Sequence, residues 1–192
     1  MKKQQKIWTY YTTSRCLVTF ALTLLLTGLL SACNEKKAID CPFTDLGWET
    51  TIDELFEAEG ACDEPYASTY GGLVYTYPAS YMGYDGTIKY MYDENDVLMS
   101  VAFAYGSEQD AELEAEELKE FYDKLAADIE KDHGKSDYDT DKPTNYGKVW
   151  ELKEGHIILS VMLTESNKAL QIAYVNPLNN KGECKKSCVY GK

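Results

Sequence analysis

The chain has 192 residues, with 19 basic and 32 acidic side chains and a net charge of −13. That balance excludes the positive footprint that nucleic-acid binding requires and works against lying flat on anionic lipid. Hydrophobic residues make up 44% and charged residues 27%, which is the composition of a folded domain.

The N-terminal stretch is unlike the rest. Lys2, Lys3, Lys6 and Arg15 stand with no anion among them, and residues 16–30 carry no charge at all. A run of this kind suits the apolar core of a signal peptide and falls short of the ~20 residues of a spanning helix. It ends in Leu30-Ser31-Ala32-Cys33, which resembles the lipobox of bacterial lipoprotein precursors. The resemblance implies removal of residues 1–32 as a signal peptide and attachment of a diacylglycerol group, with acyl chains such as palmitate, to Cys33. It further implies an exported protein, anchored to the outer face of the cytoplasmic membrane or to the outer membrane of a bacterium. Without the four cations of the leader, 15 basic residues face 32 acidic ones, a net −17. This charge favours solubility and self-avoidance.

Residues 33–47 read as the lipidated N-terminus and a short tether. Four further cysteines, Cys41, Cys62, Cys184 and Cys188, are an even number in an exported domain and predict two disulfides, with three possible connectivities. The favoured one is Cys41–Cys62 with Cys184–Cys188. The first bridge would close a loop worth up to ~3 kcal/mol in the chain-entropy account. The second would clip a C-x-x-x-C turn, which lacks the spacing of a redox dithiol.

Residues 48–176 form the domain proper. Thr51 and Glu54 have capping-box spacing, Ile52, Leu55 and Phe56 share a helical face, and Gly60 supplies a stop, so a two-turn helix is predicted. The pattern then changes to that of strands. Residues 73–77 form a first strand stopped by Pro78, and residues 87–92 a second with Ile88, Tyr90 and Tyr92 on one side. After the turn residues Asp93-Glu94-Asn95-Asp96 comes a third strand, 97–105. Ser107 and Asp110 open a long helix whose apolar stripe is Ala111, Ala115, Leu118, Tyr122, Leu125 and Ile129, ending at Gly134. A polar loop, 136–146, precedes strands at 148–152, 156–163 and 169–175. Residues 177–192 are a tail holding the last two cysteines.

Helix, three strands, helix, three strands predicts an α+β fold of two tandem αβββ units, an antiparallel sheet with its helices packed on one face. The arrangement is similar to the tandem helix-plus-sheet repeats of the β-lactamase inhibitor protein family and to the small BamE-type outer-membrane lipoproteins. The likeness is architectural, covers residues 48–176, and carries no functional residue across.

Catalytic signatures are missing: there is no nucleophile elbow, zinc-binding H-E-x-x-H, phosphate-binding glycine loop or dinucleotide fingerprint. His133 reads as a helix-end residue favoured by the dipole and His156 as a residue beside a turn. Asp137, Asp139 and Asp141 imitate a calcium loop, but Lys142 and Lys148 stand where glycine and the bidentate glutamate belong. No metal and no cofactor beyond the covalent lipid on Cys33 is expected.

Tyrosine is the unusual residue. Fourteen of the sixteen follow Cys33, and nine lie between Tyr66 and Tyr105. Tyr75 and Tyr77 share parity in one strand and Tyr90 and Tyr92 in the next. The four either pack the helix-facing core or make up a ligand-binding face, and they are the candidate binding residues. The function expected is that of an anchored extracytoplasmic binding or scaffold module, recognising an envelope protein or a small ligand by a sheet face or its rim loops. An envelope-associated enzyme inhibitor is the alternative, and a hydrolase with an unmarked carboxylate site comes third.

Overall fold

Thr51 does cap the first helix. Its hydroxyl accepts from the Glu54 amide at 3.3 Å and its own amide donates to the Glu54 carboxylate at 2.9 Å, so both halves of the box are made. The computed structural model describes residues 39–106, 113–164 and 167–180. Cys33, the signal-type leader, Ser107, Asp110, Ala111, Cys184 and Cys188 lie outside them. Helix α1 is Ile52–Glu59 and helix α2 is Ala115–His133. Gly60 and Gly134 end them, with φ of 96° and 82°.

Among the described residues, eight strands form one antiparallel sheet. In chain order they are β1 Tyr66–Ala67, β2 Gly71–Tyr81, β3 Tyr84–Asp93, β4 Leu98–Tyr105, β5 Tyr138–Lys142, β6 Asn145–Leu152, β7 Gly155–Leu163 and β8 Lys168–Val175. Their spatial order is β1-β2-β3-β4-β8-β7-β6-β5, two meanders joined edge to edge through β4 and β8. The α+β class and antiparallel pairing are as expected, but each half carries four strands where three were predicted.

The two extra strands are the outermost ones, and their position explains why the pattern missed them. β5 falls inside the predicted polar loop, and all five of its residues are exposed. An edge strand needs no apolar face, and Asp139, Asp141 and Lys142 discourage pairing with another chain. β1 is only two residues long. β2 also continues through Pro78, where a stop was predicted. β1 covers only Leu73 and Val74, so β2 is an edge beyond that point, and edges tolerate a missing N–H. The strand turns at Met82 and Gly83, both with positive φ, as a two-residue hairpin requires.

Register shows which side chains share a face. One row runs Trp150–Ile157–Tyr174–Val101–Tyr90–Tyr75, and the next runs Lys148–Leu159–Ile172–Phe103–Ile88–Tyr77. Apart from Lys148, every member of these rows is buried. Phe56 of α1 meets Tyr75 edge-on, with centroids 5.3 Å apart. Phe121 of α2 stacks on Tyr84 at 3.9 Å and meets Phe103 and Tyr105 edge-on. Between them the arm before α1 inserts Phe43 against Tyr81, Phe103 and Tyr174. Phe56, Phe43 and Phe121 thus each touch a ring of these rows. Lys148 is the one charge in these rows. Its ammonium reaches Glu130 of α2 at 2.8 Å, and that hydrogen bond, with Asp139 nearby, raises its pKa.

Burial pushes the phenols up. Tyr77, Tyr81 and Tyr122 are raised to about 12, and Tyr90, Tyr92 and Tyr174 lie higher still. The folded state favours the neutral phenol, so the stabilisation is complete below the ordinary tyrosine pKa of ~10 and is lost as pH rises towards 12 and beyond. Phenolate absorbance should therefore rise steeply and together with loss of circular dichroism. Gradual ionisation of these rings near pH ~10 with the fold intact would contradict their burial.

Candidate functional site

The four candidate tyrosines are core residues, the first of the two arrangements expected of them. Tyr75 and Tyr77 are 5% and 8% exposed, and Tyr90 and Tyr92 are 0%. Tyr75 is clasped edge-on between Phe56 and Tyr92, and Tyr77 packs on Tyr90. Three of the polar tips are used internally. The Tyr77 hydroxyl donates to the Gly60 carbonyl at 2.8 Å and that of Tyr90 to Glu59 at 2.7 Å. Tyr92 donates to the Thr50 carbonyl at 3.2 Å. They bind α1 to the sheet, which is why tyrosine serves here better than phenylalanine. Replacing Tyr75 and Tyr77 together with Ser should cost several kcal/mol, of the order of the large-to-small core series. A variant that unfolds at the wild-type denaturant midpoint would return these rings to the surface.

The opposite sheet face has a different character. The row Thr76–Lys89–Ala102–Ala173–Ile158–Val149–Tyr138 crosses it. Ile158, Met162 and Tyr138 are 37%, 45% and 60% exposed, and together they form an apolar strip on β5–β7. Towards β3 the row meets Lys89, whose pKa is lowered by burial.

A concavity at one end of the sheet has a volume of about 570 Å³. It is built by segments distant in sequence: Ile39 and Asp40 of the arm, Trp48 and Glu49 before α1, the C-terminal end of α2, the β6–β7 turn, and the end of β8. Ile39, Trp48, Leu152, Ile157 and Tyr174 supply apolar surface, while Asp40, Glu49, Lys153 and Glu154 supply charge. The chain's two histidines, His133 and His156, both line it. Read separately in the sequence, they are a helix end and a turn neighbour. The β6–β7 hairpin places them in one cleft, and no spacing rule brings together residues on unrelated elements. Backbone fit matters at the turn. Gly155 has φ of 130°, and a Cβ there would lie 2.2 Å from the Val175 carbonyl oxygen, so a side chain at this position would push the turn off β8.

A second concavity of about 440 Å³ lies between α2 and the β5–β6 hairpin, with Tyr122, Tyr146, Asp139, Asp141 and Lys148 in its lining. The three aspartates of the D-x-D-x-D run do not converge on a point. Asp137 accepts from the Glu151 amide at 2.7 Å, Asp139 engages Ser136 and Lys148, and Asp141 pairs in register with Tyr146. Among the described residues no three His, Cys, Asp or Glu side chains are placed to hold a metal ion.

The predicted Cys41–Cys62 bridge is not formed; both are free thiols. Cys62 lies 3.9 Å from the Thr76 carbonyl, and Cys41 is held in the arm, where burial pushes its thiol up to about 12. The proposed partners Cys184 and Cys188 lie outside the described residues.

No family model matches the chain, and no curated protein matches it. Among solved structures it is similar to a DUF4309 family protein, YjgB, from Bacillus subtilis. That match has 9% identity over 67% of this chain and 79% of the other, with a TM-score of 0.41. A likeness of that degree carries no argument about fold or function.

Proposed function

We propose that the mature chain is an exported lipoprotein, anchored through a lipid on Cys33, that works as a binding module through the cleft at the end of its sheet. The observation behind this reading is the composition of that cleft: an apolar lining with charged groups and two histidines at its edge, the usual make-up of a ligand site. Its wall begins at Ile39, six residues after Cys33. An anchor there would hold the cleft within about 20 Å of the membrane, the reach of six extended residues. The ligand is an envelope protein or a small molecule presented near that surface, and the domain's net negative charge keeps it standing off the lipid.

Crosslinking pulldown from intact bacteria tests this. A partner captured by the wild type and lost from a folded Trp48→Ser, Lys153→Glu variant supports the cleft; equal capture by both overturns it. The exposed strip of Ile158, Met162 and Tyr138 favours a second reading, an enzyme inhibitor that docks its open sheet face. In that case Ile158→Asp abolishes capture, and the captured protein is an enzyme that loses activity in the complex. The two halves are, in the same proposal, copies of one helix-plus-meander unit with both helices on a common face, and Cys184 and Cys188 form a disulfide clip in the exported protein.

A further inference from the structure

We infer that the concavity between α2 and the β5–β6 hairpin is a second binding site, for a neutral saccharide, separate from the cleft at the end of the sheet. An unused hydroxyl is the first reason. Tyr146 lines this concavity, and its Oη is buried with no hydrogen-bond partner among the described residues. A phenolic O–H kept from water costs stability unless an acceptor meets it. An unpaired one in a folded domain therefore points to a partner that the chain does not supply. Other core phenols show the contrast, since those of Tyr77, Tyr90 and Tyr92 are each satisfied by the chain itself. The volume, about 440 Å³, lies within the range of small-molecule sites.

The charge around that hydroxyl is the second reason, because it cancels. Lys119 pairs with Asp123, and Lys148 pairs with Glu130 and Asp139. Asp141 and Lys142 complete the charged lining with opposite signs, both exposed and neither with a side-chain hydrogen bond or ion pair among the described residues. A phosphate or carboxylate would face Asp139 and Asp141, and a cation would face Lys119 and Lys148. A purely apolar ligand would take all four from water without replacing it. A sugar suits the set. Each of its hydroxyls both donates and accepts, so one ligand gives acceptors to the Tyr146 O–H and the Lys142 ammonium and donors to the Asp141 carboxylate. Its C–H faces find apolar ring surface, since Tyr122 and Tyr146 stand at 85° with centroids 4.9 Å apart. The all-exposed edge strand β5, which needs no apolar face, is free to carry these polar groups.

The test uses the full chain, in a detergent without a sugar headgroup, and maltose, cellobiose and diacetylchitobiose as neutral probes. At about 10 mM, which largely fills a millimolar site, saturation-transfer NMR should pass magnetisation to the ring protons of at least one of them. Tyr146→Phe keeps the ring and removes only the O–H, so it should leave the melting temperature unchanged and weaken that binding roughly three- to tenfold. Asp141→Asn, on the exposed edge strand, should weaken it by about as much without touching the core. The Trp48→Ser, Lys153→Glu variant of the other cleft should bind the sugar as the wild type does, so that failure of one site is told apart from failure of the other. No transfer to any of the three sugars, an affinity that neither Tyr146→Phe nor Asp141→Asn lowers, or sugar binding lost in the cleft variant overturns the inference. So does a response to inorganic phosphate or calcium with none to the sugars.

Discussion

Phe121→Ala should lower the unfolding free energy by about 3–5 kcal/mol, the range for truncating a fully buried phenylalanine. The ring is 0% exposed and touches three aromatic partners at once: it stacks on Tyr84 and meets Phe103 and Tyr105 edge-on. No single neighbour can close the space left behind, because Tyr84, Phe103 and Tyr105 sit on β3 and β4, strands fixed by their own ladder. Against a typical total of 5–15 kcal/mol this is a large fraction, equivalent to a fall in melting temperature of roughly 6–20 °C for a domain of this size. Chemical denaturation with an unchanged m-value would measure it. Phe121→Leu, which keeps most of the volume, should lose much less. A loss under about 1 kcal/mol for the alanine variant would mean that α2 is not held through this ring.

Cys33→Ala should have an all-or-none effect on location. If Cys33 is lipidated as proposed, two or three acyl chains at ~0.8 kcal/mol per buried methylene would give lasting attachment. Without it, the acceptor for the lipid is gone, and the protein should appear as unprocessed precursor or in the aqueous phase of a detergent partition. The variant found at mature size and still in the membrane phase would remove the lipoprotein assignment. Among the described residues no helix is long and apolar enough to cross a membrane, so the test bears on the segment before residue 39.

What could be read along the chain follows from how local the deciding interactions are. The capping box of Thr51 and Glu54 and the stops at Gly60 and Gly134 depend on neighbours a few residues away, and these were legible. So was the Asp93–Asp96 turn, where the Asp93 carboxylate accepts from the Asn95 and Val97 amides and is held below its usual pKa by them. The parity of Tyr90 and Tyr92 with Ile88 pointed to the core as one of two outcomes, and register chose it.

The rest was decided by partners far away in sequence. β5 and the last part of β2 are strands because of where the sheet's edges fall, and nothing in Asp139, Asp141 or Pro78 announces an edge. The choice between the two readings of the tyrosines was open for the same reason: period two says which tyrosines lie together, but not whether their face is the buried one. His133 and His156 share a cleft only because β7 pairs with β8 beside the end of α2. Composition and short-range pattern determined the acidic charge, the cap of α1, the glycine stops of both helices and the central hairpin, since each depends on a few consecutive residues; the start of α2 at Ala115, where Ser107 and Asp110 were expected to open it, was not among them. Which face is buried, where the sheet ends and which groups line the cleft were decided by tertiary structure alone, because each depends on pairings between segments whose separation along the chain carries no periodic signal.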